Sequence, residues 1–130
     1  MFSIHTDGVV LELDSERRIV GLWGAAETSF LGPAEARLQG RLLVDAVGPR
    51  LGATFQAHLD ELMRVGAAES FELVVERPGE RRCFEAHAAL LPAEAGRPRT
   101  VTMVIRDVTE RKRMQTQLLR AERLASAGLL

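Results

Sequence analysis

Hydrophobic side chains recur along this chain with two different periods. Val9, Leu11 and Leu13 alternate with Val10, Glu12 and Asp14, the period of two that turns one face of a strand towards a core. The run Asp14-Ser15-Glu16-Arg17 reads as a turn. Beyond it the alternation resumes, with Val20 and Leu22 on one side and Ile19 and Trp23 on the other, which predicts an antiparallel hairpin ending near Gly24. From Glu27 to Gly40 the pattern is helical and broken: Phe30 and Leu31, a Gly32-Pro33 break, then a two-turn helix from Pro33 to Leu38 stopped by Gly40. Leu51, Phe55, His58, Leu59 and Leu62 follow a 3.6 repeat and predict a longer helix over 50–65, closed by Gly66. Strand alternation then returns three times. Phe71, Leu73 and Val75 form one face, Phe84, Ala86, Ala88 and Leu90 the next after a Pro78-Gly79-Glu80 turn, and Val101, Met103 and Ile105 the last. Two strands, a helical stretch and three strands bury these faces most economically as an α+β fold, an antiparallel sheet with its helices on one face.

After Thr109, helix formers run without interruption from Glu110 towards Leu130. Met114, Leu118, Ala121, Ala125 and Gly128 are spaced 4, 3, 4 and 3, the a/d spacing of a coiled coil sustained for about two heptads. A helix of this length extends ~30 Å. Its narrow apolar stripe calls for a partner, and a second copy of the chain is the expected one.

Composition narrows the function more than the fold. The 130 residues, 46% of them hydrophobic, suit one compact domain. With Lys+Arg 17 against Asp+Glu 18 the net charge is -1, so no overall field attracts nucleic acid or an anionic membrane. From Arg106 onward six basic residues face three acidic ones, which leaves the first 105 residues at -4. The single Cys83 excludes an internal disulfide and a multi-cysteine zinc site and agrees with a reducing, cytoplasmic location. Transmembrane-length apolar runs and the basic-then-apolar start of a signal peptide are both lacking in the sequence. His5, His58 and His87 share no metal-ligand spacing, and neither a phosphate loop, a nucleophile elbow nor a carboxylate pair is present, so catalysis by this segment is not expected.

The order of elements, with FLGPAEARLQGR at 30–41 and VIRDVTERKRMQ at 104–115, resembles the PAS domain family over roughly 7–113. The run LLRAERLASAGLL at 118–130 resembles the entry to the dimerisation and phosphoacceptor helix of histidine kinases. The resemblance implies a PAS fold at 1–109 followed by a signalling helix at 110–130. It implies a sensory or regulatory domain of a two-component sensor histidine kinase, whose phosphoacceptor histidine and ATP-binding domain lie outside these residues. Relatives commonly place Asn after the second strand. Here Trp23-Gly24 occupies that position, so no ligand-ordering role transfers to it.

Several residues follow as candidates. The family's Asp-x-Thr at the end of the last strand implies that Asp107 and Thr109 couple sheet to helix. Asp107 is expected to pair with Arg111 or a basic residue of the body, and Thr109 to act as the N-cap, a role worth about 1 kcal/mol. An ordinary cap with an exposed ion pair worth ~0.5 kcal/mol is the plainer alternative. Leu22, Phe30, Leu38, Phe55, Leu59, Leu62, Leu73 and Met103 would enclose the central cavity of such a fold, suited to a small apolar ligand or else filled at native density. His58, on the long helix where haem-binding relatives carry the iron ligand, marks haem as an alternative cofactor. Cys83 lies at a strand start, not in the helical region that a flavin adduct requires, and reads as a structural thiol. Three functional readings stand at this point: a ligand sensor acting through the outgoing helix, a ligand-free dimerisation and relay module, and a haem-linked gas sensor.

Overall fold

One carboxylate fixes the turn that follows Leu13. The computed structural model describes residues 8–24, 38–66, 68–94, 96 and 98–129. Strand β1 (Gly8–Leu13) leads into Asp14, whose Oδ1 accepts hydrogen bonds from the Glu16 and Arg18 N–H groups, each at 2.9 Å. Asp suits this task because its short side chain reaches backbone donors two and four residues on. The chain reverses into β2 (Ile19–Gly24). Between them the register shifts: Glu12 pairs with Gly21 but Leu13 pairs with Ile19, so Val20 is the extra residue of a bulge. The bulge turns Ile19 inward with no exposure and leaves Val20 39% exposed, which reverses the faces that strict alternation predicts.

The expected helix at 33–38, apart from its last residue, lies outside the described residues. Leu38 is buried, and Gly40 and Arg41 bond along the start of β2 through Gly40 N–H to Ile19 O and Ile19 N–H to Arg41 O. A one-turn helix, α1 (Leu43–Val47), follows; five residues are too few for a periodic pattern to announce. Helix α2 (Pro49–Val65) starts with Pro at its first position and ends at Gly66. Its buried face is Gly52, Phe55, Leu59 and Leu62. Gly52 lets α2 approach α1 closely, since a Cβ there would lie 3.2 Å from the Val44 Cβ, and a larger residue would need Val44 to shift by a few tenths of an ångström.

Strands β3 (Ala68–Arg77) and β4 (Glu80–Leu91) form a hairpin through Pro78-Gly79, and β5 (Thr100–Asp107) completes a sheet of order β2-β1-β5-β4-β3, antiparallel throughout. The inner face carries Leu11, Leu73, Phe84, Ala86, Ala88, Met103 and Ile105, each at most 2% exposed. Helix α2 packs on β3 and β4, where Phe55 meets Phe71 edge to face at 5.7 Å. The opposite face of the sheet is polar at its β3–β4 end, and there the last element begins: α3 (Thr109–Ser126).

Candidate functional site

Sheet and outgoing helix meet at Asp107, and nearly every polar atom of the junction is shared between them. The side chain of Asp107, only 12% exposed, divides its oxygens. Oδ1 accepts from the Thr109 N–H at 2.9 Å and from the Thr109 hydroxyl at 2.6 Å; Oδ2 accepts from Arg82 Nε at 3.0 Å and from Arg82 Nη2. Thr109, 3% exposed, uses its oxygen a second time to accept the Cys83 N–H at 2.9 Å. Val108 N–H donates to the Cys83 carbonyl at 2.8 Å, which carries the strand ladder one residue past β5. The first turn of α3 is thus bonded to β4 through main chain, hydroxyl and carboxylate together.

Electrostatics favour the same arrangement. Burial by itself would push the Asp107 carboxyl up, but the Thr109 hydroxyl, the Thr109 N–H and the Arg82 guanidinium together outweigh it and hold the carboxyl below the usual carboxylate range. Arg82 is raised in turn, chiefly by its hydrogen bond to Asp107. Two more ion pairs reach from the helix to the outer sheet face: Arg111 Nη2 to Glu85 Oε2 at 2.8 Å, and Lys112 Nζ to Glu72 Oε2 at 2.5 Å. Beyond Lys112 every described residue of the chain is exposed, including Met114, Leu118, Leu119 and Leu124.

One expectation is corrected at this junction, and one that left two partners open is resolved to one of them. Thr109 is the first helical residue, not the N-cap; the Asp107 carboxylate caps its N–H, while Val108 O accepts the first helical bond from Lys112 N–H. The basic partner of Asp107 is Arg82, and Arg111 pairs with Glu85. Sequence reasoning missed Arg82, Glu85, Glu72 and the Cys83 main chain, because the pairing of Phe84 with Asp107 decides them and that register is not local.

The family match now decides the identity. The PAS fold family matches residues 5–113 of the chain. The chain belongs to that family. Solved structures similar to this PAS domain include a domain of an HTR-like protein from Haloarcula marismortui ATCC 43049, with 17% identity, a TM-score of 0.62, and 78% of this chain and 98% of that one covered. A sensory box sensor histidine kinase from Vibrio cholerae matches with 15% identity, a TM-score of 0.56 and coverage of 78% and 82%. A sensory box histidine kinase/response regulator from Burkholderia thailandensis E264 matches with 21% identity, a TM-score of 0.57 and coverage of 95% and 93%. No curated protein sequence matches the chain. The helix following the PAS sheet is present, and no described helix is long and apolar enough to cross a membrane.

Within the PAS body, Leu38, Phe55, Leu59, Leu62, Leu73 and Met103 belong to one continuous core, each at most 5% exposed. Leu22 departs from the expectation: although it pairs with Leu11, it sits on the edge strand and is 40% exposed. Phe30 lies outside the described residues. His58 also departs, since it is not on the buried stripe of α2. Its ring stacks on Phe71 at 4.0 Å, and Nδ1 lies 3.8 Å from Glu69 Oε2, so one face and one edge are occupied on the flank of the helix. Along α3, Met114, Leu118, Ala121 and Ala125 lie on the helix, whereas Gly128 lies beyond its end at φ +74°. There Leu129 N–H bonds Leu124 O and Gly128 N–H bonds Ala125 O, a Schellman closure that needs the left-handed conformation glycine provides. Cys83 is partly buried and free.

Proposed function

We propose that this PAS domain is the cytoplasmic input module of a two-component sensor histidine kinase, which passes changes in its body to the kinase through α3. The observation that carries this reading is the clamp formed by Arg82, Asp107, Thr109 and the Cys83 main chain. It makes the first turn of α3 move with β4, while the remainder of the helix stands free. A strand displaced by a ligand in the core, or by a changed interface, must carry the helix root with it. Differential affinity for two positions of that root is what a sensor needs.

The division into a sensor at 1–109 and a signalling helix at 110–130 follows the same boundary. The exposed stripe of Met114, Leu118, Ala121 and Ala125 supports pairing with a second copy along α3, leading into the kinase part of the parent chain. For the input, the core lined by Leu38, Phe55, Leu59, Leu62, Leu73 and Met103 suits a small apolar ligand. A second reading, a dimerisation and relay module that binds nothing, draws on the apolar stripe and needs no ligand. A metabolite screen by thermal shift separates the two: stabilisation by an apolar compound supports the sensor, and none across the screen supports the relay.

The test of the relay is autophosphorylation of the full-length chain. Asp107→Asn, with the body still folded, should change the rate several-fold in either direction. A full-length chain without kinase activity, or one indifferent to the junction, overturns the reading.

A further inference from the structure

The outer face of the sheet carries a second set of polar contacts to α3, separate from the Asp107 clamp. Strand pairing sets Ser70 of β3 opposite His87 of β4, and Glu85 lies two residues earlier on the same face of β4. Three hydrogen bonds run through them in series. Ser70 Oγ lies 2.9 Å from His87 Nδ1, His87 Nε2 lies 2.9 Å from Glu85 Oε1, and Glu85 Oε2 accepts from Arg111 Nη2 at 2.8 Å. An ionised carboxylate can only accept, so Nε2 carries the hydrogen. In the neutral ring Nδ1 is then the acceptor and the Ser70 hydroxyl the donor. Glu85 is held below the usual carboxylate range, first by its bond to His87 and then by Arg111, so it stays an anion at neutral pH.

We propose that Ser70, His87 and Glu85 form a proton-operated latch on the root of α3, in which uptake of a proton by the His87 ring loosens the hold of Arg111 on Glu85. The charges around the ring decide the direction. On β5, Val104 faces His87 and Arg106 faces Glu85; on β3, Glu72 faces Glu85 and is itself held by Lys112; from α3 come Arg111 and Lys112. With the ring neutral, two carboxylates face three cations. A proton on His87 adds a cation, and the Glu85 carboxylate is then shared between an imidazolium on one oxygen and Arg111 on the other. His87 and Arg106 are fixed by the strands. Arg111 stands on the helix and is the group free to withdraw. Nδ1–H becomes a donor at the same time, so the Ser70 hydroxyl must turn to accept it. Imidazole changes charge between about pH 5 and 8, within the range a cell experiences. Coupling of this kind is reciprocal: whatever draws Arg111 off Glu85 raises the proton affinity of the ring.

The latch regulates the same helix and rests on the relay reading only for its effect on a kinase; the proton coupling itself is measurable in this chain alone. The experiment is an NMR titration across about pH 5 to 8 that follows the His87 ring and the backbone amides of the first turn of α3. The α3 amides should titrate with the midpoint of the ring. Arg111→Gln should move the ring midpoint upward, because it removes the cation that shares Glu85 with the imidazolium. His87→Gln should abolish the titration of the α3 amides. Amides that stay flat while the ring titrates, or a ring midpoint unmoved by Arg111→Gln, overturn the latch. That failure would leave the Asp107 clamp and its kinase assay untouched, and a silent kinase would leave the titration result standing.

Discussion

Replacing Thr109 by Val removes one oxygen from a buried site while keeping the shape and β-branching of the side chain. Two interactions disappear with it: the donor to the Asp107 carboxylate, and the acceptor for the Cys83 N–H. Loss of a hydrogen bond to a charged group costs roughly 1.5 kcal/mol, and a main-chain N–H left without a partner adds about 1 kcal/mol or more. The extra buried methyl returns about 0.8 kcal/mol. The net expectation is ~2 kcal/mol of destabilisation, a fall in Tm of ~8 °C for a domain of this size. Urea unfolding followed by Trp23 fluorescence measures it, and the midpoint should fall with the slope unchanged. Thr109→Ser keeps the oxygen and should cost well under half as much. A loss below about 0.5 kcal/mol for Thr109→Val would refute the reasoning, because that is the range of ordinary surface substitutions.

Other consequences follow from the same contacts. Asp107 is depressed in the folded state, so its stabilisation is complete above the unfolded carboxylate value near ~3.9 and is lost as pH falls through the folded one. Acid denaturation curves of the parent should therefore fall more steeply below about pH 4 than those of Asp107→Asn, and coincident curves would contradict the assignment. Phe55→Ala should cost about 3–5 kcal/mol by chemical denaturation, since it empties a fully buried site and removes the edge contact with Phe71. Leu22→Ala, on the exposed edge strand, should cost less than about 1 kcal/mol in the same assay. Truncation after Lys112 should leave the stability of the body almost unchanged, because every described residue removed is exposed; sedimentation should then show the parent as a dimer and the truncated chain as a monomer.

What could be read from the sequence was whatever depends on neighbours a few positions apart. Alternation identified the inner faces of β1, β3, β4 and β5, and the 3.6 repeat with its Pro and Gly boundaries located α2. The failures share one cause, which is pairing between distant segments. The bulge that opposes Leu13 to Ile19 depends on how β2 lies against β1, and no property of 18–24 alone announces it. His58 fits the apolar repeat of α2 by spacing, yet the stripe that the sheet buries is centred on Phe55, Leu59 and Leu62, which leaves His58 to stack on Phe71. At the junction, Asp107 and Thr109 were identifiable from a family motif. Their partners were not: Arg82 and the Cys83 main chain reach them only because Phe84 lies opposite Asp107. The Ser70, His87 and Glu85 series was hidden for the same reason, since 17 positions separate its serine and histidine.

The central claim is that the root of α3 belongs to the sheet, and amide hydrogen exchange of the unmodified chain tests it most directly. The Cys83, Val108 and Thr109 amides are bonded across the junction and should exchange as slowly as the core amides of β4 from Phe84 to Ala88. If these three exchange as fast as the amides of the exposed half of α3, the helix is only tethered to the sheet and the account fails.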